Sequence, residues 1–589
     1  MNGSNPNPSD PIASKHSMVT TLRQVGEHEL NQLLRGNLTI KVLIFYFEDC
    51  NCELRAHSSI SESMRKMFFV GSIGSIILFG LLGFFVWKGF WVILAVLGIF
   101  MIIGIMDLVQ KRHSLLRNFP VFGRLRWVME AMRPKLYQYF VESDTDGRPI
   151  NRLDRNTIYQ RAKKELDTMP FGTQSNVYAE GYEWMTHSIY PKDFHKMNHH
   201  PRVTVGNKDC LQPYDCSVLN VSAMSFGSLS AVAIEALNLG AKIGGFAHNT
   251  GEGGISPYHL KGGDIIWQIG TGYFGARDPK GNFSFEIFAK NAAKPEVKMI
   301  EIKLSQGAKP GHGGILPGAK NTPEIAAIRH VEPYITVYSP PYHSAFSTPL
   351  ELVTFIGKVR EACGGKPVGF KLCIGHKFEF IAICKAMIEL DIYPDFITVD
   401  GGEGGTGAAP QEFSNYVGTP FLDGLAFVHN MLVGFGIRKH IKLIGSGKII
   451  SGFHLIRAMA LGADICNSAR AMMMALGCIQ ALECNRNTCP TGVATQDPKL
   501  TAGLVVSDKK VRVANYQEET VKSFVELLGA AGMDDATALT RSHIYRRVFM
   551  NEVRTLEDIY PSLEPGCMLN HHIPEKYKTD FEKACVDGW

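Results

Sequence analysis

From about Val218 to Ser468 the chain repeats one pattern: a short apolar run, a glycine-rich stretch, then a helical segment. Alternation of this kind predicts βα units and a parallel sheet. Eight runs fit the pattern, near Val218–Ser225, Gly245–Asn249, Met299–Leu304, Tyr334–Ser339, Val368–Cys373, Phe396–Asp400, Lys442–Ile444 and Ile465–Ser468. Eight is the number that closes a (β/α)8 barrel, so the fold class expected is α/β, a TIM barrel. The longest insertion, about 251–298, falls between the second and third predicted strands.

In such barrels the chemistry sits on the loops that follow the strands. Here those loops are the unusual part of the sequence: Ser-Ala-Met-Ser-Phe-Gly (222–227), Asn-Thr-Gly-Glu-Gly-Gly (249–254), Asp-Gly-Gly-Glu-Gly-Gly-Thr-Gly (400–407), Gly-Ser-Gly-Lys (445–448) and Asn-Ser-Ala-Arg (467–470). One glycine cluster is commonly only a turn, whereas recurrence at strand ends points to ligand contact. The loops after strands seven and eight usually hold phosphate. Gly445, Gly447, Ala469 and Arg470 suit that task, offering free backbone N–H groups, little bulk and one cation. Lys371, in Gly-Phe-Lys-Leu-Cys, is a lysine inside an apolar strand, costly unless paired or facing a ligand. Lys303 poses the same question on the third predicted strand.

Cys478, Cys484 and Cys489 stand five and then four residues apart. Three thiolates so close can converge on one metal centre, and soft ligands select iron–sulfur, zinc or copper(I). The spacing is not that of a zinc ribbon. The other cysteines, among 13, show no disulfide framework and read as free or buried thiols. A net charge of +5 on 589 residues gives no reason to expect nucleic acid.

Met67 to Trp87 is a run of 21 residues without charge, and Gly89 to Met106 is a second uncharged run. Each is about long enough to span a bilayer, so the pair reads as a transmembrane hairpin. Arg65 and Lys66 before it, and Lys111, Arg112 and Arg117 after it, put both ends and the catalytic domain on the cytoplasmic side. The rival reading is a buried core hairpin. The expected organisation is a poorly ordered extension (1–63), the hairpin (64–112), a lead-in packing on the barrel (113–217), the barrel with its cysteine loop (218–507) and a C-terminal helical extension (508–589). Met64-Arg-Lys looks like a natural start, and Cys50 and Cys52 ahead of it read as plain thiols.

Taken in order, Ser-Ala-Met-Ser-Phe-Gly, Asn-Thr-Gly-Glu-Gly-Gly, Gln-Gly-Ala-Lys-Pro-Gly, Gly-Gly-Thr-Gly-Ala and Cys-Pro-Thr-Gly-Val-Ala-Thr-Gln resemble the FMN-binding synthase domain of glutamate synthases, over about residues 170–535. The resemblance implies FMN and a [3Fe-4S] cluster. It implies reductive amination of 2-oxoglutarate, or a related oxo acid, by ammonia or an amine to give L-glutamate. Carried over by position, Met224 and Ser225 would lie beside flavin and substrate, and Glu252 would face the substrate amine. Lys303, Gln306 and Lys309 would hold the dicarboxylate and polarise its carbonyl. Lys371 would contact the flavin, Gly402, Gly445, Gly447 and Arg470 would surround its phosphate, and Cys478, Cys484 and Cys489 would ligate the cluster. No dinucleotide fingerprint follows a strand, so electrons are expected from an external carrier: ferredoxin, a reductase subunit or quinone. The family's glutaminase and β-helix domains have no counterpart here, so glutamine hydrolysis is not expected on this chain. Two substrate-side loops also depart from the family. Pro-Tyr-His-Ser-Ala (341–345) puts Ala345 near an expected acid, and His312 replaces a usual glutamate. The alternatives are a membrane-associated, quinone-linked amino-acid dehydrogenase and a non-catalytic redox module.

Overall fold

The computed structural model describes residues 64–569 and 573–589. The extension expected over 1–63, with Cys50 and Cys52, lies outside them. The chain divides into two compact units, residues 1–141 and 142–589.

The first unit holds two long apolar helices, α1 (Met64–Phe85) and α2 (Phe90–Val109), of mean hydropathy 2.2 and 2.8. Most of their side chains are exposed, unlike those of a core hairpin. Asp107, near the end of α2, is 1% exposed and bonds the Arg124 guanidinium at 2.6 Å and the Val121 N–H at 3.1 Å. Past a short helix, Ser114–Asn118, a longer one, α3 (Leu125–Leu136), runs into a π-helical turn, Tyr137–Val141.

The second unit is a closed, all-parallel barrel of eight strands. They are β1 (Leu219–Val221), β2 (His248–Asn249), β3 (Ile265–Ile269), β4 (Val297–Lys303), β5 (Val368–Leu372), β6 (Phe396–Asp400), β7 (Lys442–Ser446) and β8 (Ile465–Ser468). Local chemistry sets the first βα unit. Ser230 caps helix Ala231–Gly244 by accepting the Ala233 N–H, and Gly245 at φ 65° ends it in the left-handed region.

Two strand assignments differ from expectation. Ile265–Ile269, inside the stretch read as an insertion, is the true third strand. Only a 3₁₀ turn, Pro257–His259, separates it from β2, so the helix that signals a βα unit is missing there. Tyr334–Ser339 is no barrel strand. Val337–Tyr338 pairs antiparallel with Ile315–Leu316, in an excursion between β4 and β5.

Period-two alternation makes every second residue of a strand face the barrel axis, and the axis fills in layers. On β4 the inward residues are Met299, Glu301 and Lys303. Met299 belongs to an apolar floor with Ile266, Phe396, Ile444 and Ile465. The lead-in plugs that floor: Val205, Tyr214 and Cys216 of the antiparallel pair Arg202–Val205 and Tyr214–Ser217 pack into it. The middle layer is polar. Glu301 Oε2 accepts from Asn249 Nδ2 at 2.8 Å and from Gln268 Nε2, and Oε1 accepts from Thr398 Oγ1 at 2.7 Å. The top layer carries the charges described below.

The C-terminal extension opens with a long helix, Val506–Ala530, packed on Ala231–Gly244 and Arg152–Lys163. The C-terminal part is not wholly helical. Strands Ile544–Phe549 and Glu552–Thr555 form a hairpin that pairs with Glu183–Met185 of the lead-in.

Candidate active site

At the top of the barrel Lys303 ends β4, and Lys371 stands opposite it in register on β5. Two ammonium groups on neighbouring inward positions repel one another unless an anion intervenes. The chain supplies one: Lys303 Nζ donates to Glu252 Oε2 at 2.8 Å from the loop after β2. Burial pulls the Lys303 ammonium down, Glu252 opposes this, and Lys371 adds to it. Burial pushes the Glu252 carboxyl up, but Lys303, Lys309 and Arg329 outweigh it and bring it to about 2. Glu252 is therefore ionised near neutral pH, amid more positive charge than it neutralises.

The loops that carry these groups are cross-tied. Lys309 Nζ donates to Ala408 O at 2.8 Å, and burial lowers its ammonium to about 8. The Gly307 N–H donates to Asp400 Oδ2 at 2.9 Å. Arg329 donates to Phe226 O at 3.0 Å and reaches Ser225 Oγ at 3.5 Å. His343 supports Lys303 from behind. Its Nε2 lies 2.8 Å from Lys303 O, so Nε2 is the protonated nitrogen, and Nδ1 accepts from the Tyr273 hydroxyl at 3.1 Å. Burial pulls His343 down to about 4, which fixes the neutral ring this chain of bonds requires. Tyr273 Oη in turn accepts the Ala345 N–H at 3.0 Å. Ala345 thus contributes its backbone here, and His312 turns toward its own chain, Nδ1 lying 2.8 Å from Gly313 O.

A cavity of about 270 Å³ opens on this layer. Met224, Ser225, Glu252, Lys303, Gln306, Lys371 and Arg470 all line it, as do Cys478, Cys484 and Cys489. A smaller cavity of about 70 Å³ at the ends of β7 and β8 is walled by Ser446, Gly447, Lys448, Ala469 and Arg470, with Gln306 and Lys371 shared. Gln306 Nε2 is buried with no hydrogen-bond partner, a donor left open beside both cavities. Buried donors of this kind are rare unless something accepts from them.

Three of the expected residues line neither cavity. Lys309 acts through its charge on Glu252. A Cβ on Gly402 would meet Gly418 O at 2.6 Å, and one on Gly445 would meet the Phe421 ring at 2.8 Å, so close packing behind the loops requires both glycines. Sequence reasoning missed Lys448, held at φ 51° at the end of β7 and lining the smaller cavity. Its signal was present, as a lysine directly after Gly-Ser-Gly. It also missed His343 and Tyr273, which no local pattern marks.

The cysteine loop is tightly specified. Gln480, Leu482 and Asn487 all take positive φ, a conformation that persists only where the surroundings enforce it. Gln480 exchanges two hydrogen bonds with the Ile150 backbone, at 3.2 Å each, and Tyr159 Oη donates to Cys478 O at 2.7 Å. Lys320, 3% exposed, donates to Ser228 O and Ala494 O and faces Cys484 and Cys489 electrostatically. Burial raises the Cys478 thiol to about 11 and raises Cys484. At Cys489 burial is outweighed by bonds from Thr491 and nearby backbone N–H groups, which lower it. The three thiols share one cavity wall. Among the described residues, no group of three or more His, Cys, Asp or Glu side chains is set to hold a metal ion.

The conserved region in glutamate synthase matches residues 174–534 of this chain. The glutamate synthase large subunit-like protein YerD of Bacillus subtilis is 39% identical over 485 residues, covering 76% of this chain and 92% of that protein. The archaeal glutamate synthase [NADPH] of Methanocaldococcus jannaschii is 36% identical over 54% of this chain and 60% of its own length. For the glutamate synthase [NADPH] large chain of Bacillus subtilis the figures are 33%, 54% and 20%. A crystal structure of a mandelate oxidase variant aligns at a TM-score of 0.37 and 13% identity, over 73% of this chain and 96% of that one, too distant to bear on the chemistry. With the family's conserved region spanning the whole barrel, the chain belongs to the glutamate synthase family, whose synthase domain the barrel is, and is an oxidoreductase acting on CH–NH2 donors.

Proposed function

We propose that this chain reductively aminates 2-oxoglutarate or a related oxo acid, through an imine, to L-glutamate or the corresponding amino acid. The observation that carries this reading is the ionised Glu252 within the cluster of Lys303, Lys309 and Arg329, on the wall of a cavity shared with the open donor of Gln306. Excess positive charge suits a dicarboxylate, and one fixed carboxylate suits a protonated imine nitrogen.

FMN fits the residues present. Gln306 offers an unused buried donor, Lys371 a cation, and Gly447, Lys448 and Arg470 form a small, positively charged cavity that suits a phosphate. When bound, FMN supplies a hydride to the imine carbon. Lys303 would hold a carboxylate and polarise the carbonyl during condensation with ammonia, which releases water, while Lys309, set back from the cavity, adds positive charge through Glu252. Glu252 would then pair with the positive charge on nitrogen, so the carbon remains electrophilic until the C–H bond forms. His343 positions Lys303 by holding its carbonyl.

Cys478, Cys484 and Cys489 would hold a [3Fe-4S] cluster that passes electrons from an external carrier. Their support is their shared cavity wall with the substrate cradle and the loop's enforced backbone. Helices α1 and α2, long, apolar and exposed, support a two-pass membrane anchor with the barrel on the cytoplasmic side. The same helices favour quinone among the carriers.

Purified protein should show a flavin spectrum with an iron–sulfur shoulder. Chemically reduced enzyme given 2-oxoglutarate and ammonia should reoxidise its flavin and release glutamate. Flavin reoxidation with other oxo acids but never with 2-oxoglutarate would replace the substrate. Flavin reduction by amino acids followed by quinone reduction, without the forward reaction, would reverse the direction assigned.

A further inference from the structure

Helix α3 carries an apolar stripe that the described residues of its own unit leave uncovered. Leu125, Val128, Met129, Met132 and Leu136 recur at helical spacing, and at 100° per residue they fall within an arc of about 100°. None of them is buried, and their exposures run from 40% to 56%. The turn that follows adds Tyr137, Tyr139, Phe140 and Val141, exposed by 51% to 81%. A patch of this extent in water marks a surface with a partner.

The charge around the stripe selects the partner. Arg126 and Arg133 flank one edge of the arc and Lys135 the other, where long side chains can lay their stems on apolar surface and lift their heads clear. Residues 111–141 hold seven basic side chains and one acidic, Glu130. Arg124 pairs with Asp107 and Arg126 with Glu130, which leaves five cations without an ion-pair partner among the described residues. A second copy of α3 would set these charges against their own kind. An anionic lipid headgroup layer would complement them, with the acyl boundary beneath to receive the stripe. Position agrees: only 15 residues separate the end of α2 at Val109 from the start of α3 at Leu125.

We infer that α3 and the turn after it lie in the plane of an anionic lipid surface, with the apolar stripe down and Arg126, Arg133 and Lys135 at the headgroups. This rests on the membrane reading of α1 and α2 and adds a second, lipid-selective contact to it.

The test is hydrogen–deuterium exchange on the full chain in three settings: phosphatidylcholine vesicles, the same vesicles with phosphatidylserine, and detergent. Amides of 125–141 should exchange on the order of tenfold more slowly with phosphatidylserine than without. The triple change R126E, R133E and K135E should remove that difference while α1 and α2 stay protected. Equal exchange in both vesicles overturns the inference, as does protection in detergent that grows with protein concentration, which would mean a second copy. Carbonate extraction separates the two readings. Release of the chain by carbonate with the lipid-dependent protection intact defeats the spanning assignment and leaves the surface contact standing.

Discussion

At the scale of single residues, the pair Glu252–Lys303 decides what the site can do. Lys303 is nearly buried, and Glu252 owes its position at about 2 to three cations of which Lys303 is the one in contact. In Lys303→Met the carboxylate keeps only Lys309 and Arg329 and loses its one direct bond. Removing one partner of a buried pair typically costs roughly 3–5 kcal/mol. The reading as a dicarboxylate cradle predicts more than lost stability. Turnover of the reduced enzyme should fall by on the order of a hundredfold or more, because the carbonyl loses its polarising cation. Glu252→Gln separates the two effects. Its amide oxygen still accepts from Lys303, so thermal stability should drop less, while catalysis falls because no charge faces the imine. Melting temperature and single-turnover flavin reoxidation on both variants check this. Equal stability losses with equal residual activity would mean that the pair is structural only.

At the scale of elements, the barrel strands carry their sequence as layers, and the middle layer is the part that composition disguises. Glu301 sits one step below Lys303 on β4, 1% exposed, and draws its three hydrogen bonds from β2, β3 and β6. All three partners are neutral donors. Glu301→Gln turns half of the acceptor into an amide that faces donors, so at least one buried donor goes unmet. A cost of roughly 1–3 kcal/mol follows, visible as a lower melting temperature. Because Glu301 lines neither cavity, flavin content at moderate temperature should hold. The same layer explains what the sequence made legible. Strand ends with glycine clusters marked the top of the barrel, and Lys303 and Lys371 stood out because charge in an apolar run must have a reason. Glu301 is a charge in the same run as Lys303, but the sequence does not name its partners, which lie 33 to 97 residues away. β3 escaped notice because recognition leaned on the helix between strands, and a 3₁₀ turn stands there. Val337–Tyr338 passed for a barrel strand because an apolar run does not state which neighbour it pairs with. His343 was invisible for a related reason: its task depends on Tyr273 and on a carbonyl, and neither contact leaves a local pattern.

At the scale of the whole molecule, burial of neutral imidazoles couples stability to pH. His248 and His259 are both fully buried with ring centroids 5.3 Å apart, and neither ring of the pair uses all its nitrogens. Burial pulls His248 down to about 3, and His259 falls well below its usual range through burial and the neighbouring His248. His343 is held at about 4, and burial likewise pulls His429 and His454 down to about 3. These groups bind no proton in the folded chain at mild acidity, but in the unfolded chain they bind one as pH falls through about 6.5. The unfolded state then carries more protons, and stability drops as pH drops. Between pH 7.5 and 5.5 each imidazole contributes a little over 1 kcal/mol of loss, about 7 kcal/mol for the five. Glu252 has the opposite origin and a lower window: its depressed position stabilises the fold above the unfolded carboxyl's range, and that stability is lost only as pH falls from about 4.5 toward 2. The two windows do not overlap, so the loss between pH 7.5 and 5.5 belongs to the histidines. Denaturant midpoints at those two pH values, at fixed ionic strength, should show the lower value at pH 5.5. His343→Gln tests the share of one ring. Its amide can donate to the Lys303 carbonyl but does not titrate, so the variant should start less stable at pH 7.5 and lose about a fifth less on acidification. A variant that loses as much as the parent would show that the acid sensitivity arises elsewhere.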